Sequence, residues 1–248
     1  MPLRVLIAGA AVGGLALAQA LRQAGIAVTV FERTPTVRAD RRGYRINVHR
    51  VGGDALAACL PDELFRQYLA TSRDEARARV AVFGHRMRPL YASDVGVDGT
   101  ATPRDHTGVN RLTLRQVMVA GLEREVRFGQ EGVRFEQTPD RVRVLLADGS
   151  TAEAVRPPTW PAGRVTLLGD AIHPMSPAGG TGANTALRDA AVLAGKLTAA
   201  RRPAGPVSAV AAYETEMCRY GFAAVAESLR YGERFAQAIR HAEKETHR

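Results

Sequence analysis

Two stretches of this chain hold chemistry-bearing residues at spacings that build sites. Gly163 to Asn184 reads GRVTLLGDAIHPMSPAGGTGAN: an apolar run expected to be a buried strand, Gly169-Asp170 at its end, a proline-studded loop, then a glycine cluster before a helix. That order sets the Asp170 carboxylate at a strand's carboxyl end. It also sets the backbone N–H groups of Gly179, Gly180, Thr181, Gly182 and Asn184 at a helix start. The first suits a polyol chain and the second a delocalised anion. Near the N-terminus, RVLIAGAAVGGLALAQAL places Gly9, Ala11 and Gly14 at the G-x-G-x-x-G positions, with Gly13 beside them. There the first glycine permits a tight turn, the second admits a pyrophosphate close to the backbone, and the third lets helix pack on strand. Ala11 departs from the pattern, since its Cβ points to the place of closest phosphate approach. Glu32 follows Gly14 by 18 residues and ends the next strand, where a carboxylate can accept ribose hydroxyls. An exposed strand-end pairing of Glu32 with Arg33 is the plainer alternative.

These residues need elements to position them. Arg4 to Ala8 is a continuous apolar run, the mark of a strand covered on both faces. Gly13 to Ala24 has helical apolar spacing and Gly25 at its C-terminal cap, and Ala27 to Phe31 is a second buried strand, completing a βαβ unit. Residues 34 to 50 read as an arginine-rich loop, and Asp54 to Ala70 as helix despite Pro61. Val80 to Phe83 and Met87 to Tyr91 read as a hairpin, Ala92 to Val109 as loop, and Leu112 to Glu125 as an amphipathic helix. Val126 to Phe128, Val133 to Glu136 and Val142 to Leu146 form a meander closed by Asp148-Gly149. Pro157, Pro158 and Pro161 exclude regular structure before the Gly163 segment. Ala183 to Leu197 is helical, and a last long helix carries Val210, Tyr213, Met217, Tyr220 and Ala224 on one face, fraying from Glu233.

The βαβ opening, the GDAIHP run and the following PAGGTGAN together resemble the first and last fingerprints of the FAD-dependent aromatic hydroxylases, the single-component flavin monooxygenases. The resemblance implies that Asp170 holds the ribityl chain of FAD and that Pro177 to Asn184 surrounds the flavin's pyrimidine edge. It implies a cofactor role for Arg111, in VNRLTLRQVM, and a place near the flavin for Arg45, in GYRINVH. Simple surface solvation is the alternative for both arginines. His173 reads as a loop-packing residue, because no acid partner is identifiable around it. Family members follow the meander with a strand ending in Gly-Ala-Asp-Gly and then most of a substrate-binding sheet. Here that second fingerprint is absent.

Composition bounds the rest. At 248 residues, with 46% hydrophobic residues, the chain can bury a sizeable core. Its net charge of +9 is almost all arginine, and Arg38 to Arg45 lacks the interleaved aromatics of a nucleic-acid site. Cys59 and Cys218 have no CxxC spacing and the six histidines no metal-ligand pairing, so no metal is expected. Ala18-Gln19-Ala20 after an apolar run imitates a signal-peptide cleavage site, but Gly9, Gly13 and Gly14 interrupt that run at turn-and-helix spacing. The expectation is a cytoplasmic protein with no membrane or nucleic-acid partner, a small-molecule substrate and a homo-oligomeric state, since a missing strand leaves edges to cover.

The fold expected is α/β: a Rossmann-like FAD-binding parallel sheet, a small β-meander and C-terminal helices, with most of the substrate-binding sheet missing. It forms a single FAD-binding domain over 1–248, in discontinuous halves 1–77 and 111–248, with a residual substrate-domain hairpin at about 78–110. The function implied is an NAD(P)H- and oxygen-dependent FAD monooxygenase acting on an aromatic or polyketide-like molecule, abbreviated and poorly coupled. No catalytic side chain is assigned. A non-oxygenating FAD-binding protein and an inactive shortened remnant stay open beside it.

Overall fold

The computed structural model describes residues 3–39, 44–74, 77–84, 86–96, 106–137, 141–155, 163, 165–176, 180–200 and 205–246. Strand β1 (Arg4–Ala8), helix α1 (Val12–Gln23) and strand β2 (Ala27–Glu32) form the opening βαβ unit, with β1 and β2 parallel from Arg4↔Ala27 to Ala8↔Phe31. Between β1 and α1 the chain turns at Gly9, whose φ of +107° few other residues adopt, and the Gly9 N–H donates to the Phe31 carbonyl at 2.8 Å. Helix α1 is buried along most of its length, and Gly25 at φ +67° ends it.

The basic stretch after β2 is not all loop. Arg45–His49 is strand β3, with Ile46 and Val48 buried in an alternation that a half-buried strand requires. The single helix expected over 54–70 is two, α2 (Arg50–Cys59) and α3 (Asp62–Thr71). Leu60 precedes a proline and is held extended at ψ 145°, so the first helix must stop. Asp62 and Glu63 then sit in the first turn of α3, where the helix dipole favours them.

A two-residue strand β4 (Arg73–Asp74) precedes the hairpin of β5 (Arg77–Phe83) and β6 (Pro89–Gly96), longer than expected at both ends. His106–Asn110, expected as loop, is strand β7, the central member of an antiparallel sheet β3-β7-β4. Helix α4 (Arg111–Val119) starts under Asn110, whose Oδ1 accepts the Leu112 N–H at 2.9 Å. It ends well before Glu125, because Gln19 of α1 donates to the Met118 and Ala120 carbonyls at 2.7 and 2.9 Å and Gly121 turns away at φ +77°. Strand β8 (Val126–Phe128) is not part of the meander. It pairs parallel with β2, giving a sheet ordered β1-β2-β8. The meander is β9 (Gly132–Gln137), β10 (Arg141–Leu146) and β11 (Thr151–Val155).

The expected strand at Val165 to Leu168 is extended chain without a ladder, and it runs into a single 3-10 turn, Gly169–Ala171. Among the described residues β1 has β2 as its one partner, so no strand stands between β1 and this segment to bridge them. Helix α5 (Gly182–Ala199) follows. The last helix, α6 (Gly205–Thr246), runs 42 residues and continues past Glu233 rather than fraying there. Helix α5 packs against α1, α2 and α6 and joins them in one core that includes Leu15, Leu21, Leu187, Leu193, Tyr213 and Met217. The class is α/β, a parallel sheet with flanking and C-terminal helices. No helix among the described residues is long and apolar enough to cross a membrane.

Candidate cofactor site

A cavity of about 660 Å³ opens where the β1–α1 turn, the Gly169–Ala171 turn and the start of α5 meet. It brings together Gly9, Ala11, Gly13 and Gly14 with Gly169, Asp170 and Gly182, residues more than 150 positions apart in sequence. Close packing explains two of the glycines. A Cβ at Gly14 would strike the Gly9 carbonyl, and one at Gly13 would come within 2.7 Å of Leu168 Cδ1 and 3.1 Å of the Ala186 carbonyl. Helix α1 thus sits tight on both its own turn and α5, and its first N–H groups, which have no partner within the helix, face the turn. Ala11 is the N-cap residue of α1, exposed, and on the cavity wall.

Asp170 is exposed and lines the cavity beside Gly182, the first residue of α5. A carboxylate beside a helix N-terminus on the wall of a cavity of this size fits a ligand that brings hydroxyls and a delocalised anion close together. Arg111 also lines the cavity. Its N–H donates to the Tyr44 carbonyl at 3.0 Å and its guanidinium lies 5.7 Å from the Tyr44 ring centroid.

Other anticipated residues are placed differently. Glu32 is only 9% exposed and heavily engaged. Its Oε2 accepts the Ala10 N–H at 2.9 Å, while Oε1 accepts the Thr34 N–H at 2.9 Å and the Thr34 hydroxyl at 3.0 Å. A carboxylate has about four acceptor places, so with Arg115 also 3.6 Å from Oε2, Glu32, which does not line the cavity, keeps room for at most about one further hydroxyl. Arg33 is exposed, and Arg45 is the exposed first residue of β3; neither lines the cavity. Asn184 is buried and acts as a tie: its Oδ1 accepts the His49 N–H at 2.8 Å, and its Nδ2 donates to the Asn47 and Gly180 carbonyls, both at 2.9 Å. Thr181 is the N-cap residue of α5, and its carbonyl accepts from Thr185. Pro177 and Gly179 lie outside the described residues.

Three residues that hold this site were not anticipated. Arg115, 1% exposed, donates through Nε to the Ala10 carbonyl at 2.9 Å and pairs with Glu32 at 3.6 Å. Asp189 is fully buried on α5, and Tyr220 reaches it from α6 with a 2.6 Å hydrogen bond. His173 therefore has an acid partner after all, Asp189, at 2.7 Å. Burial alone lowers the His173 pKa, but the Asp189 hydrogen bond and charge, with a smaller push from Asp170, more than reverse this and raise it. Burial and the Asp189 charge push the Tyr220 phenol far above its ordinary value, so it acts as a neutral donor. The missed signal was the same for Arg115 and Asp189: an ionisable residue inside an otherwise apolar helical stripe, beside Leu114 and Met118 in one case and Ala186 and Leu193 in the other.

Residues 151–228 match the sequence family described as the FAD binding domain. A dual O-methyltransferase/FAD-dependent monooxygenase of Cercospora beticola is 30% identical over 150 residues, 58% of this chain and 16% of that protein. An FAD-dependent monooxygenase of Emericella nidulans is 31% identical over 157 residues, 60% of this chain and 37% of that protein. Among solved structures, a single-substitution variant of Klebsiella pneumoniae HpxO, complexed with FAD, superposes with a TM-score of 0.77 at 18% identity, over 98% of this chain and 94% of that one. A putative FAD-containing monooxygenase of Photorhabdus luminescens gives 0.73 at 20% identity, over 92% and 97%.

The chain is similar in sequence to FAD-dependent monooxygenases over about 60% of its length and shares the fold of solved ones. The matched stretch is well under half the length of each of these two curated relatives. The cavity is lined by the glycine turn together with Asp170 and the α5 N-terminus.

Arg115→Met should show how the glycine-turn half is held. It removes the buried cation beside Glu32 and the donor to the Ala10 carbonyl, so urea unfolding should report a loss of about 3 kcal/mol. A change below about 0.5 kcal/mol would mean that Glu32 and the turn do not depend on Arg115.

Proposed function

We propose that this chain is the cofactor-binding body of an NAD(P)H-dependent flavoprotein monooxygenase, and that it holds FAD in the cavity between α1 and α5. The observation that carries the reading is the convergence of the Gly9–Gly14 turn, Asp170 and Gly182 on one cavity from distant parts of the chain. In this reading the α1 N-terminus and the Gly9 turn bind the pyrophosphate, and Glu32 accepts one ribose hydroxyl. Asp170 accepts from the ribityl chain, and the N–H groups that open α5 favour negative charge on the ring system. Arg111 adds a cation beside the cavity. Bound FAD supplies the redox chemistry, taking reducing equivalents from NAD(P)H and passing oxygen to an aromatic or polyketide-like substrate. The protein's contribution is to orient the ligands and exclude water, so no acid–base side chain is assigned. A cytoplasmic setting belongs to the same reading, supported by two thiols without redox-motif spacing, one of them buried.

Asp170→Ala should weaken FAD binding by about 1–3 kcal/mol, the scale of one hydrogen bond to a charged group. Ala11→Gly should tighten it, because the Cβ leaves the pyrophosphate approach. Equilibrium dialysis with excess FAD checks both, and wild-type protein that retains no flavin would end the proposal.

Exposed apolar side chains on α6, Phe222, Leu229 and Tyr231, favour a homo-oligomer. Light scattering that gave a monomer at every concentration would contradict this.

Tight coupling of reduction to hydroxylation needs a closed pocket in which substrate is held and water excluded. The cavity is lined by β1 and by Leu167, which is 47% exposed, so the enclosure given by the described residues is partial. With phenolic substrates present, the loaded chain should oxidise NAD(P)H slowly and release mostly hydrogen peroxide. Hydroxylated product equal to the NAD(P)H consumed would show a closed pocket. No NAD(P)H oxidation by flavin-loaded protein would favour the non-oxygenating alternative.

A further inference from the structure

Asp189 is fully buried on α5, and the cofactor reading gives it no ligand to touch. Its Oδ2 accepts the Gly169 N–H and His173 Nε2, each at 2.7 Å, and its Oδ1 accepts the Tyr220 hydroxyl at 2.6 Å. Gly169 and His173 are the two ends of the segment that carries Asp170, and the Gly169 carbonyl takes the N–H groups of Ile172 and His173 at 3.0 Å. One carboxylate oxygen therefore pins both ends of that turn. Gly169 is at φ +62°, and a Cβ there would come within 3.1 Å of the Ala186 Cβ, so the turn is pressed onto α5 one helical turn before Asp189. On the other side Gly221 lets α6 close on His173, since a Cβ would meet the ring Cδ2 at 2.9 Å. The Arg188 guanidinium lies 3.9 Å from the Tyr220 ring centroid and holds the phenol from above.

An apolar side chain would join α5 to α6 without the cost of burying a carboxylate. All three donors to Asp189 come from the Asp170 turn or from α6. We infer that Asp189 is a positioning residue: it sets the Gly169–His173 turn so that Asp170 is presented to the cavity, and Tyr220 makes that setting depend on α6. The inference rests on the cofactor reading above, in which Asp170 contacts the ribityl chain.

The test is ligand binding to Asp189→Asn and Tyr220→Phe. Asparagine keeps the size but offers one oxygen to three donors, so at least one donor faces an amide N–H. FAD affinity, measured by flavin fluorescence, should fall roughly tenfold or more, with the bound flavin's absorption band moving toward that of free flavin. ADP, which reaches only the Gly9–Gly14 half, should bind within about twofold of wild type. Tyr220→Phe removes one donor, should cost FAD about three- to tenfold, and carries the test if Asp189→Asn does not fold. Unchanged FAD affinity in a folded variant overturns the inference. So does equal weakening of FAD and ADP, which would mark Asp189 as a general fold anchor. Wild-type protein that binds ADP but never FAD defeats the cofactor reading and this inference together. Wild type that binds FAD alongside unaffected variants defeats this inference alone.

Discussion

A carboxylate taken out of water must be given donors, and this fold spends two buried acids on main-chain N–H groups at its two critical turns. Glu32 Oε2 accepts the Ala10 N–H beside the Gly9 turn, and Asp189 Oδ2 accepts the Gly169 N–H beside Asp170. Each is backed by a further partner that its own helix or strand cannot supply, the buried Arg115 for Glu32 and the half-buried Tyr220 for Asp189. A backbone N–H held by a charged acceptor is worth more than an ordinary hydrogen bond, and a misplaced turn would leave that buried acid short of one of its donors. The penalty for a wrong turn is therefore steep on both sides of the cavity.

The two turns must also keep their distance from each other, and helix α5 provides the frame. Gly13 lets α1 approach the Ala186 carbonyl, which locks the glycine-turn helix onto α5. Asp189 locks the second turn onto the same helix. Asn184 ties its first turn to β3 through the His49 N–H and the Asn47 carbonyl, and a Cβ at Gly52 of α2 would collide with that amide. Residues spread over α5 thus hold α1, the Asp170 turn and β3 in place.

Local sequence showed the parts of this arrangement that obey local rules. The βαβ opening, the hairpin, the meander strands β9 and β10 and helices α5 and α6 follow from periodicity and glycine placement, and the observed elements agree within a few residues apart from the ends of α6. The failures were tertiary. Val126 to Phe128 looks like any short apolar strand, and only its pairing with β2 separates it from the meander. Val165 to Leu168 has the composition of a buried strand, yet a ladder needs neighbours, and composition does not report them. Helix α4 ends where Gln19, from a helix about 100 positions earlier, takes its last carbonyls.

The same limit separates the site residues that were legible from those that were not. Gly9 and Gly14 are legible because a left-handed backbone and close packing demand glycine there, and Asp170 because its place just before a glycine-rich helix start is that of a motif. Asn184 was legible as a member of a motif, but its amide is consumed by three protein partners, so its contribution is to place α5 rather than to meet a ligand directly. Arg115 and Asp189 sit in apolar stripes where a charge is costly unless another part of the chain answers it. Such a residue predicts a partner without naming one. The acid that His173 lacks in its own loop lies in the next helix, on its buried face between Ala186 and Leu193. Buried charges in helical stripes are therefore better read in pairs, because each one implies the other before either partner is located.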